Sequence, residues 1–80
     1  MSMTPETRRE LEAYLAEKSA KGHVEATFAY DDQKASVTIA GRSVAGGSLR
    51  DSSRNVLFRG PEDVAAVKSA IDYVVGTLST

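Results

Sequence analysis

From Val64 to Leu78 the chain repeats one pattern. Val64, Val67, Ile71, Val74, Val75 and Leu78 recur at spacings of three and four, which places them on one face of a helix. Pro61 suits a first helical position, where its missing N–H would be unpaired anyway. Glu62 and Asp63 add carboxylates at the positive end of the helix dipole. The pattern predicts a closing helix over 61–78, and it carries more apolar surface than any other stretch. The rest of the chain must fold against it.

Near the N-terminus a thinner stripe, Leu11, Tyr14 and Leu15 with flanking alanines, predicts a helix over 5–20. Thr4 is the expected cap with Pro5 behind it, and Thr7 to Glu10 forms a competing capping box. Gly22 is placed to supply a left-handed residue past the end. The outer face is laced with charge: Arg8–Glu12 and Glu17–Lys21 sit four apart and Glu6–Arg9 three apart.

Between the helices the period changes to two. Val24, Ala26, Phe28 and Tyr30 alternate with His23, Glu25, Thr27 and Ala29, the pattern of a half-buried strand. Asp31-Asp32-Gln33 reads as a tight turn. Ala35, Val37 and Ile39 then alternate with Ser36, Thr38 and Ala40 in a second strand, hairpin-paired to the first and broken by Gly41. Residues 42–54 are rich in serine, glycine and arginine and read as a mobile loop, with Ser43-Val44-Ala45 as an optional extension of the sheet. A third short strand follows at 55–59.

The order α-β-β-β-α predicts an α+β two-layer sandwich, with a small antiparallel sheet and both helices on one face. One domain spans 1–80. The expected core is Leu11, Leu15, Val24, Phe28, Val37, Ile39, Phe58, Val64, Val67, Ile71, Val74 and Val75. Double-stranded-RNA-binding domains share this element order. They grip phosphate with lysines at the start of the last helix. Pro61, Glu62 and Asp63 stand at that place here, so the family is not assigned.

Composition narrows the chemistry. The net charge of −1 argues against a dedicated nucleic-acid or membrane-surface binder. No apolar run approaches the ~20 residues of a membrane span, and no basic-then-apolar leader opens the chain, so the expected compartment is the cytoplasm. There is no cysteine and a single histidine, which excludes disulfides, thiolate metal sites and any site built on two imidazoles. No cofactor or metal is expected. His23 lacks the nucleophile and orienting carboxylate of a catalytic set. Gly46-Gly47-Ser48 lacks the spacing of a phosphate loop, and Asp31-Asp32 lacks the spaced ligands of a calcium loop.

Two surfaces stand out. Tyr73 lies off the main stripe of the last helix, with Ala70 and Ala66 one and two turns before it and Thr77 one turn after. Together with Arg50 and Arg54 these residues form the candidate partner-binding set. The alternative is a phosphate or nucleic-acid contact through Arg42, Arg50, Arg54 and Arg59, since arginine forks suit phosphate oxygens. The preferred expectation is a non-enzymatic binding module, adaptor or inhibitor in type, that covers a surface of a larger protein. The breadth of the last helix also makes it the expected docking face for a second copy.

Overall fold

The computed structural model describes residues 3–43 and 50–79. Helix α1 (Pro5–Gly22) leads into strands β1 (Val24–Asp31), β2 (Ser36–Ser43) and β3 (Arg50–Leu57). A single 3₁₀ turn, Pro61–Asp63, then opens helix α2 (Val64–Leu78). The strands form one antiparallel sheet in the order β1-β2-β3. Helix α1 packs on β1 and on α2, and α2 packs mainly on β2 and β3. This is the expected α+β arrangement in the expected order.

Local chemistry explains the boundaries. Thr4 wins the competition to cap α1: its hydroxyl accepts from the Thr7 N–H at 3.2 Å and its carbonyl from Arg8 at 3.0 Å. The helix runs on to Gly22, two residues past the expected end, and His23 takes the left-handed position, with φ 54°. Gly22 serves packing instead. A Cβ there would stand 3.0 Å from both Val75 and Ser79, so the glycine lets the ends of the two helices meet. The β1–β2 turn is built by Asp31, whose carboxylate accepts the N–H groups of Gln33 and Lys34 at 3.0 and 3.3 Å.

Gly41 does not break β2. The strand passes through it to Ser43, and a Cβ at Gly41 would lie 2.9 Å from Val74 and Leu78. The glycine is there because α2 settles directly onto the strand, a requirement of tertiary contact. The segment read as a loop also differs. Arg42 and Ser43 belong to β2 and Arg50–Arg54 to β3, while residues 44–49 fall outside the described set. Strand β3 therefore starts five residues before the expected 55, and it ends at Leu57.

Register fixes the two faces of the sheet. Val24–Ser43–Arg50, Ala26–Gly41–Ser52, Phe28–Ile39–Arg54 and Tyr30–Val37–Val56 lie in rows facing the helices. The open face carries Glu25–Arg42–Asp51, Thr27–Ala40–Ser53, Ala29–Thr38–Asn55 and Asp31–Ser36–Leu57. The core is Leu11, Leu15, Val24, Val37, Ile39, Phe58, Val67, Ile71, Val74 and Val75, joined by Met3, Ala70 and Leu78. Phe28 and Val64, expected inside, are only half-buried and pack against that core from its margin. Every apolar residue of α2 from Val67 onward on the expected stripe is buried, so the breadth of that stripe is taken up by the sheet and α1.

Two polar contacts tie the helices at their outer rim. Lys68 reaches Glu10 at 2.8 Å, and the Tyr14 hydroxyl donates to the Asp72 carboxylate, 2.8 and 3.0 Å from its oxygens. That carboxylate raises the Tyr14 pKa above its ordinary 10.0; lost hydration and the negative charges of Asp72 and Glu17 act in the same direction. The folded state thus holds this proton more tightly than the unfolded chain. The associated stability is fully present below pH 10 and is lost as pH rises through the higher folded value. The ultraviolet phenolate titration of the wild type, minus that of Tyr14→Phe, should show Tyr14 ionising late. In Asp72→Asn the same difference should move back toward 10.0.

Candidate functional site at the seam of β3 and α2

Strand alternation decides where the arginines go. Arg50, Ser52, Arg54 and Val56 share the helix-facing side of β3, and α2 lies above them. The Arg54 guanidinium stands 4.4 Å from the centre of the Tyr73 ring, the geometry of a cation–π contact. Tyr73 is half exposed, at 50 %. Two strand repeats earlier and one helix turn later, the Arg50 guanidinium donates to the Thr77 carbonyl at 2.9 Å. A cation at that place complements the negative end of the α2 dipole. Tyr73, Arg54 and Arg50 therefore form a continuous seam along the junction of strand and helix.

The remaining predicted residues divide. Ala66 is exposed two turns before Tyr73 on the same side of α2. Ala70 is buried, at 3 % exposure, and belongs to the core; it cannot touch a partner in this fold. The helix arc explains this: one turn before Val74 and next to Ile71, Ala70 lies on the buried side of α2. The sequence places Thr77 one turn after Tyr73 on the same flank, but not as the residue whose carbonyl receives Arg50. A backbone acceptor at a helix end leaves no side-chain signal.

The arginine set of the alternative does not converge. Arg42 projects from the open face, opposite to Arg50 and Arg54, and pairs with Asp51 at 3.8 Å. Arg59 pairs with Asp63 at 3.6 Å, and the same carboxylate accepts the Arg59 backbone N–H at 2.8 Å. Arg54 and Arg50 are engaged with Tyr73 and Thr77. A phosphate would thus meet Arg50 and Arg54 on one face, Arg42 alone on the other and Arg59 beyond the end of β3, and three of the four side chains would first leave an acid or a carbonyl.

Other places assemble less. The open face has a shallow depression of ≈ 540 Å³ lined by Glu25, Thr27, Ala40, Arg42, Asp51 and Ser53. The Arg42–Asp51 pair satisfies two of its polar groups. His23 is exposed and closes α1. Among the described residues no three His, Asp or Glu side chains gather to hold a metal ion, and no helix is long and apolar enough to cross a membrane.

Comparison with protein-family models, with curated proteins and with solved structures returned no match. The functional reading therefore rests on the seam.

Proposed function

We propose that this protein is a non-enzymatic binding module of the adaptor or inhibitor type, which acts by covering a surface of a larger protein with its β3–α2 seam. The observation that carries the reading is the half-exposed Tyr73 ring held by Arg54 at 4.4 Å. Tyrosine and arginine are the residue types enriched at the energetic centres of interfaces, because each offers a large, semi-rigid contact with a polar end. Here the stack presents both already positioned, so less side-chain freedom is lost on docking. The neighbouring exposed Ala65, Ala66 and Ser69 are small and let a partner approach the helix closely. A phage- or plasmid-encoded inhibitor acting in the cytoplasm fits this size and surface.

Affinity capture from source cells tests it when wild type is run beside Arg54→Glu. The proposal expects a partner recovered with the wild type and lost with the variant. Recovery of the same partner at equal yield with both would contradict it. A second copy is the other occupant this flank of α2 could take, and light scattering of the purified chain would reveal it as twice the chain mass.

A further inference from the structure

The opposite edge of the sheet carries a second site. Among the described residues strand β1 is an edge with no strand beside it, and its own sequence carries few of the features that guard one. It is a regular eight-residue strand with no proline, lysine or arginine, and its two charges, Glu25 and Asp31, both lie on the open face. The β3 edge is the reverse, with Arg50 and Arg54 on its inward side.

Helix α1 sits over this edge in a particular way. Packed helices lie about 8–10 Å apart and neighbouring strands about 4.8 Å apart. Since α2 covers β2 and β3, α1 must lie about two strand spacings further on, over β1 and its free side. The result is an open trough of ≈ 490 Å³ between the underside of α1 and the strand. Leu15, Ala16, Val24, Ala26 and Phe28 give it an apolar lining beside Thr27 and Glu12, and Arg8, paired with Glu12 at 3.3 Å, stands 5.8 Å over the Phe28 ring. The half-exposed state of Phe28 is explained by this overhang: the ring forms a wall of the trough. Ser19 also lines it, with a buried hydroxyl that has no hydrogen-bond partner among the described residues.

We propose that the trough binds an extended peptide segment of another protein, added to β1 as a fourth strand, with apolar side chains turned up under α1 and basic side chains turned toward the open face. Backbone pairing along β1 supplies affinity, and alternate side chains supply selectivity. The apolar lining takes the upper set. Glu25 and Asp31 on the open face favour lysine or arginine in the lower set, whereas Glu12 is already paired with Arg8 at 3.3 Å and adds little. A second copy of this chain does not fit by the same pairing. It would bring its own α1 over the same seam, and two helices need about 8–10 Å where one strand spacing is available. This site is separate from the β3–α2 seam and stands or falls without it.

The probe is a blocked eight-residue peptide alternating valine and lysine, titrated to about 1 mM against isotope-labelled protein and followed by amide NMR. The expected result is shifts confined to β1 and the facing residues of α1, with slowed exchange of β1 edge amides. The companion peptide with glutamate for lysine should bind more weakly. Glu25→Lys should reverse that order, by up to about fivefold for each charge pair. Ala16→Trp, which fills the trough from an exposed position, should weaken binding at least about tenfold with the circular dichroism unchanged. Tyr73→Ala should bind the peptide as the wild type does. Absence of β1 shifts, shifts mapped to β3 or α2, or indifference to Glu25→Lys would each overturn the proposal.

Discussion

Ile71→Ala is expected to lower the melting temperature by at least about 10 °C and to leave the chain partly unfolded at body temperature. Ile71 is fully buried, at 0 % exposure, on the face of α2 that meets the sheet. Removing its outer carbons forfeits their transfer free energy and leaves a cavity, together about 2–5 kcal/mol. Domains of this size are stable by only about 5–15 kcal/mol, and small ones tend to the lower end. Each kcal/mol moves the midpoint by roughly 4–8 °C in a domain of this length. Leu57→Ala is the control: Leu57 is 56 % exposed on the open face, and its loss should move the midpoint by no more than a degree or two. A thermal melt of both variants by circular dichroism checks the pair. Equal midpoints would mean that α2 does not organise the core.

Tyr73→Ala should do the opposite, costing the fold little and partner binding a great deal. The Arg54–Tyr73 contact is exposed, so its contribution to folding is about 0.5–1 kcal/mol. At the centre of an interface the same ring would be worth about 2–4 kcal/mol, or roughly thirty- to several-hundredfold in affinity. Arg54→Ala should lose a comparable factor, and the double variant little more than the worse single one, because the stack acts as a unit. Titration calorimetry with the captured partner measures all three. Losses that simply add would show that ring and guanidinium contact the partner independently.

Much of this fold is legible in the sequence. The valine and isoleucine stripe of α2 follows from its own spacing, and so do the Thr4 cap and the alternation of β1. The segment 50–54 was not readable as a strand, for a physical reason. Strand β3 is an edge strand whose residues Arg50 to Asn55 are polar on both faces, so no alternation marks it. It is held by backbone pairing to β2 and by Arg50 and Arg54 gripping α2, and neither leaves a local pattern. Gly41 misled in the same way. Within the strand it resembles a breaker, and only the descent of Val74 and Leu78 onto it shows why a side chain is missing.

The candidate surface divides similarly. Tyr73, Arg50 and Arg54 could be named from sequence as unusual residues without a core role. That Arg54 stacks on Tyr73 could not, since the contact joins a strand and a helix nineteen residues apart and depends on the register of β3. Ala70 shows the converse error. A small residue beside an aromatic looks like a flank, yet the rotation of α2 turns Ala70 inward and leaves Ala66 outside.

The most direct measurement of the central claim is photo-crosslinking from within the seam. Position 73 would carry a benzoyl-phenylalanine in place of tyrosine, and position 53, on the open face of β3, would carry it in a second variant. Both would be expressed in source cells, irradiated and read by mass. The binding proposal predicts a discrete adduct, one chain plus one larger protein, from position 73 and none from Ser53. An adduct from position 53 alone, or from neither position, would contradict it.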